Sequence, residues 1–259
     1  MKLTRGGKVI RNLLVTALLA ALTYGAAGFP AWTVEQMCRQ LGHDFLLPDP
    51  VPVYDLRYDS RIIGSRSRYR TFLIVKSGPT YLAATYCRDG LRMERNFLLL
   101  EACMANQYLL TPRNNRLFLA GDFSRAASAT AVVTVRETVV NSEYGDRNEW
   151  TLEEGRPERC VYEGVRENDS VFSFRCSPAS DRNGNLDQSF YENHRDLYMI
   201  AENSYRHQIR NTEEGMPDPL VNRLDWEIPV EITLYDGAGD VLETLHLTVY
   251  TQDLSLYNR

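Results

Sequence analysis

From Val53 onward, apolar and polar residues are arranged as in strands: short runs that alternate or are β-branched, broken by turn-forming residues. Thr71–Val75 and Tyr81–Cys87 flank Ser77-Gly78-Pro79, a hairpin signal. Arg88-Asp89-Gly90 is a further turn, and Phe97–Met104 is a short apolar run that fits helix or strand. Tyr108–Leu110 and Leu117–Leu119 bracket a second hairpin turn at Pro112-Arg113-Asn114-Asn115. Ala131–Val135 is β-branched, and Val139-Val140 extends it. Near the C-terminus, Glu227–Tyr235 alternates, turns at Asp236–Asp240 and returns through Val241–Tyr250.

The segment 160–176 predicts its own register. If Val165 opposes Val171 across a turn of Arg166–Ser170, then Cys160 faces Cys176, Tyr162 faces Phe174 and Gly164 faces Phe172. These six residues share one face, while Val161, Glu163, Ser173 and Arg175 take the other.

Helical periods are few. Thr33-Val34-Glu35-Gln36 is a capping box, opening a short helix through Met37, Cys38 and Leu41 that Gly42 ends. Leu47-Pro48-Asp49-Pro50-Val51-Pro52 must be extended, because alternating prolines exclude a helix. Gln188–Arg210 carries Phe190, Leu197, Ala201 and Tyr205 at helical spacing, with Pro217 beyond its stop. The fold class expected is mainly antiparallel β, β-sandwich-like, with one or two short helices. The paired C-terminal ending is of the kind found in immunoglobulin-like modules.

The N-terminus is different. Lys2, Arg5, Lys8 and Arg11 precede the apolar run Leu13–Leu22, and Gly25, Ala26, Ala27 and Gly28 follow it. A basic start, a short apolar core and a small-residue exit make a secretory signal peptide, with cleavage expected near Ala27 or Gly28. A retained anchor is the alternative, but a span of about 20 apolar residues would have to include Thr23, Tyr24 and Pro30. No later segment approaches that length, so the mature chain is not expected to span a membrane. The expected location is periplasmic or secreted. Arginine outnumbers lysine 26 to 3, which suggests a GC-rich, bacterial genome.

Charge divides the remainder. Residues 31–150 hold 15 basic and 13 acidic side chains, whereas residues 151–259 hold 10 and 21. The acidic half argues against a nucleic-acid partner. The expected division is a signal peptide at 1–28, an N-terminal β-rich domain at 29–145, and an acidic C-terminal β-rich domain with one helix at 146–259.

Export places the five cysteines in an oxidising compartment, where they are read first as disulfides. The register above predicts a Cys160–Cys176 bond. Cys87 with Cys103 is the second pairing expected, leaving Cys38 over. Their spacing matches no zinc pattern.

Two constellations bear on binding. Asp181, Asn183, Asn185, Asp187 and Glu192 sit at positions 1, 3, 5, 7 and 12 of an EF-hand-like calcium loop, with Ser189 at position 9. Leu186 occupies the position that such a loop reserves for Gly, and a polar turn capping a helix explains the same residues. No other cofactor is expected. Arg57, Arg61, Arg66, Arg68 and Arg70 form the second group, interleaved with Tyr58 and Tyr69. Guanidinium forks in a row suit an anionic polymer, lipid head groups or an acidic protein surface. No residues are expected to be catalytic: Gly-x-Ser-x-Gly, His-Glu-x-x-His, Ser-x-x-Lys and a phosphate-cradling glycine loop are all missing from the sequence. The expected function is a non-enzymatic cell-envelope protein that binds or assembles with other envelope proteins, in a secretion, pilus or surface-structure complex. The alternatives are an envelope hydrolase with a dispersed site and a calcium- or anionic-glycan-binding module.

Overall fold

The computed structural model describes residues 5–26, 31, 33–60, 68–88, 97–141, 151–179, 185–200 and 227–250. It is mostly antiparallel β, in two sheets, with a few short helices. The first helix, α1 (Arg5–Ala26), contains an 18-residue stretch, Gly6–Thr23, long and apolar enough to cross a membrane. None of that stretch is buried in the body. An export signal and an anchor both have this form.

Helix α2 (Val34–Asp44) starts as the capping box requires. The Gln36 amide donates to Thr33 Oγ1, and Gln36 Oε1 accepts from the Thr33 amide, both at 3.3 Å. The helix runs past Gly42 to Asp44 rather than stopping there. Gly42 is needed for close approach instead, since a Cβ there would lie 2.6 Å from Pro50 Cγ.

The first sheet has four strands in chain order: β1 (Val51–Ser60), β2 (Arg68–Ser77), β3 (Thr80–Arg88) and β4 (Phe97–Asn106). The run at 97–104, open between helix and strand in the sequence, is thus a strand paired with β3. Alternation gives this sheet two buried faces. Leu73, Val75, Leu82, Ala84 and Tyr86 pack under Met37, Cys38 and Leu41 of α2. Phe72, Ile74, Tyr81 and Ala83 point the other way, onto the second sheet.

The second sheet contains β5 (Leu109–Arg113), β6 (Arg116–Ala120), β7 (Ser128–Asn141), β8 (Thr151–Asn168), β9 (Val171–Arg175), β10 (Glu227–Tyr235) and β11 (Val241–Tyr250). Their order is β11-β10-β7-β8-β9-β6-β5. Leu109, Phe118, Ala120 and Val171 meet the first sheet. The opposite face carries a larger core, in which Tyr162, Phe172, Phe174, Val133, Val230 and Ile232 surround Phe123, Phe190, Leu197 and Tyr198. The sheet takes strands from both sides of residue 145, so the expected boundary falls within the β7–β8 hairpin. The change of sheet comes earlier, between β4 and β5.

Three local expectations need correction. The β5–β6 turn is only Asn114-Asn115, both at positive φ (45° and 63°), as a two-residue hairpin turn demands. Pro112 and Arg113 belong to the strand.

The β8–β9 register is offset from the predicted one by two residues. Gly164 faces Phe174 and Arg166 faces Phe172, because the turn is the short Asp169-Ser170 with a bulge between Arg166 and Asn168. The tip is fixed by the Ser170 amide donating to Asn168 Oδ1 at 2.8 Å.

The predicted helix at 188–210 breaks early. Helix α3 (Gln188–Asn193) ends at His194, whose backbone is extended. There the imidazole stacks on Tyr162, with 5.9 Å between ring centroids, and Tyr162 donates its hydroxyl proton to Arg195 O at 2.8 Å. Helical geometry resumes at Leu197, with Asp196 Oδ1 accepting from the Met199 amide at 3.1 Å. Residues 201–210 lie outside the described part.

Candidate binding seam

The chain passes from the first sheet to the second through a corner, β4 to β5, and the polar side chains of the inter-sheet layer collect there. Alternation along β5 puts Leu109, Thr111 and Arg113 on the inward side. Arg113 is therefore carried into the layer, only 2% exposed. A buried guanidinium requires partners for its donors. Nε donates to Thr85 Oγ1 at 2.7 Å, and Nη1 donates to Pro112 O at 2.6 Å. Nη2 lies 2.9 Å from Glu101 Oε1. The guanidinium also sits 5.6 Å from the centre of the Phe72 ring. Thr85 and Glu101 are register partners on β3 and β4, so one sheet presents both acceptors to an arginine of the other.

Neighbouring positions repeat this matching. Arg116 Nη1 reaches Glu167 Oε1 and Ser173 Oγ, both at 3.3 Å, and Ser173 donates its hydroxyl proton to the same carboxylate at 2.6 Å. Arg175 Nη2 lies 2.8 Å from Asp187 Oδ2. Burial pushes the Tyr58 phenol up, while Arg113 and Arg70 pull it the other way. At Arg113, Arg116 and Arg175 a cation meets an acid.

Beside the Arg113–Glu101 pair lies a cavity of about 250 Å³. Its walls are Glu101–Cys103 of β4, Leu110–Arg113 of β5 and Thr248–Tyr250 of β11. Among the described residues, each of these three strands pairs on one side only. The seam is therefore a meeting of three strand edges. Tyr108, just before β5, donates to Glu243 Oε2 of β11 at 2.7 Å and ties two of them together. Burial, with that hydrogen bond second, raises the Tyr108 pKa to about 12.

The expected sites fare unevenly. Of the calcium-loop residues, Asp181 and Asn183 lie outside the described part. Asp187 caps α3, accepting from the Ser189 amide at 3.2 Å and its hydroxyl at 2.6 Å, while its other oxygen faces Arg175. Asn185 and Glu192 are exposed. Among the described residues, no three His, Cys, Asp or Glu side chains form a metal-holding group.

Of the arginines, Arg61 and Arg66 lie outside the described part, and Arg68 is described only as part of β2. Arg57 and Arg70 are on opposite faces of the first sheet. Arg57 pairs in register with Thr71 on the α2 side; the Glu35 carboxyl is held below its usual range first by its own backbone amide and then by Thr33, with Arg57 adding the least. Arg70 pairs with Tyr58 on the inter-sheet side.

All five cysteines are thiols, and neither expected disulfide is formed. Cys87 faces Leu98 and Cys103 faces Ala83, four residues or about 13 Å apart along the ladder. Cys160 and Cys176 do share a core. Continuing the observed register, however, places Cys176 opposite Tyr162, so the two thiols are diagonal. Diagonal Cα atoms are roughly 7–8 Å apart, beyond the usual disulfide span. Cys38, the residue left over, donates its thiol proton to Pro50 O at 3.1 Å.

Arg113 and Glu101 were not among the residues that sequence pattern singled out, because a charged residue beside a turn has the signature of solvent. The available signal was alternation, since Arg113 shares parity with the buried Leu109 and Thr111. The chain matches no protein-family model, no curated protein and no solved structure.

Proposed function

We propose that this chain is an exported cell-envelope protein that works by binding, assembling with other envelope proteins into a secretion, pilus or surface-structure complex. One observation carries this reading: a β body that leaves large apolar side chains exposed on its strand edges. Leu100 and Met104 on β4 are 52% and 53% exposed, and Val241 and Tyr250 on β11 are also exposed. Apolar groups lined up on unpaired edges are an association hazard that proteins cover with a partner. The basic-then-apolar N-terminal segment supports export, and with it a periplasmic or secreted location.

The test is affinity capture of the tagged full-length chain from its host's envelope, with mass spectrometry of what accompanies it. A defined set of envelope proteins in fixed proportion is the result expected. Recovery of the chain alone overturns the reading.

A further inference from the structure

The four edges of the two sheets are not alike. Edge strand β1 carries Pro52 and edge strand β5 carries Pro112. Proline cannot donate a backbone hydrogen bond, and proteins use it to blunt an edge against strand pairing. Edge strands β4 and β11 have no proline. Of these, β11 places the charged Glu243 along its length, while β4 reads Phe-Leu-Leu-Leu-Glu-Ala-Cys-Met-Ala-Asn. The only charged residue of β4 is Glu101, and Arg113 neutralises it from within the body. A bulge disturbs β4 at Leu100, but Glu101–Asn106 pairs with β3 residue for residue, so six positions keep regular geometry. Among the described residues β3 is the sole strand neighbour of β4.

We infer that β4 is the docking edge. An extended, uncharged segment of a partner protein adds to Glu101–Asn106 as a further strand, with side chains directed into the cavity between β4, β5 and β11. The inference rests on the binding role above and names the partner's chemistry. Backbone hydrogen bonds along a strand edge recognise extended peptide of any sequence; the walls then select side chains. Here Ala102, Leu110, Pro112 and Val249 supply apolar surface, and the one ion pair is already matched. A charged side chain entering the cavity would lose its water and meet no unmatched opposite charge, whereas a Val or Ile would lose nothing of that kind. An uncharged strand is therefore the occupant that fits.

The experiment uses the full chain and a capped heptapeptide, acetyl-Thr-Val-Thr-Ile-Thr-Val-Thr-amide, with hydrogen exchange read along β1, β4 and β11. At ten times the peptide's Kd, the outward-pointing amides of Glu101–Asn106, those not bonded to β3, should exchange about tenfold more slowly. The β1 amides should not change, nor should a peptide with Glu at the three apolar positions protect β4. The exposed-site double substitution Leu100→Lys with Met104→Lys should abolish protection without lowering the melting temperature. No protection of β4, equal protection by the acidic peptide, or protection of β1 instead overturns the inference. So does protection, before peptide is added, of the Glu101–Asn106 amides that point away from β3. If that protection grows with protein concentration, the occupant is a second copy; if it is independent of concentration, the edge is already covered by its own chain. The two readings fail separately. An envelope assembly that survives the double substitution removes the docking edge and leaves the binding role. A wild-type chain recovered alone, but protected by the heptapeptide, does the reverse.

Discussion

Arg113 of β5 and Glu101 of β4 lie 2.9 Å apart across the corner between the two sheets. The arginine side chain is 2% exposed and the glutamate 28%. The pair closes the end of the inter-sheet layer while leaving β4 without an unmatched charge.

Removing one partner should cost more than removing both. Glu101→Ala leaves a buried guanidinium short of its counter-charge, with an expected loss on the order of 3 kcal/mol in urea unfolding. The double replacement Arg113→Met with Glu101→Leu should be less destabilising than the sum of the single ones. Strict additivity would mean that the two side chains do not act as a pair.

Thr33 caps α2 through the 3.3 Å hydrogen bond from the Gln36 amide. Thr33→Ala should cost about 1 kcal/mol in chemical denaturation, and Thr33→Ser should cost much less. If the two variants are equally stable, the hydroxyl has no capping role.

Tyr108 gives the fold an alkaline limit. Its pKa is pushed up to about 12, above the usual value near 10, first by burial and then by the hydrogen bond to Glu243. The folded state thus favours the neutral phenol. That stabilisation is whole below pH 10 and is lost as pH rises through about 12. The melting temperature should fall over this window in the wild type, and less steeply in Tyr108→Phe. Ultraviolet titration of the phenolate locates the transition directly.

The thiols should react in order of burial. Cys38, Cys160 and Cys176 are buried, and burial raises the pKa of each, Cys176 most strongly. Cys103 is half-buried on the wall of the seam. Alkylation of the folded, reduced protein, followed by peptide mapping, should label Cys103 first and Cys176 last, since the thiolate is the reacting form. Early labelling of Cys176 would contradict the packing of that core.

Much of this fold is visible in local pattern, and the departures share a cause. The C-terminal hairpin lies where alternation and the Asp236–Asp240 turn place it, with Val230 facing Leu247 and Ile232 facing Leu245. The capping box is likewise local, and both its hydrogen bonds are present. In the β8–β9 hairpin, alternation assigns faces but not register, because a slip of two residues leaves every side chain on its own face. Cys160, Tyr162, Phe174 and Cys176 are accordingly all buried, as their shared face requires, yet the partners differ. The break at His194 depends on Tyr162, more than thirty residues away, and no periodicity within 188–210 encodes it. The seam is the least legible part, since β4, β5 and β11 come together only in the folded chain.

The most direct test of an assembling role is the native size of the tagged chain, gently extracted from its host's envelope and run by gel filtration. A defined complex several times larger than the 29.7 kDa chain is expected, lost when Leu100 and Met104 are both replaced by lysine. A sharp monomer peak from wild-type envelopes would contradict it.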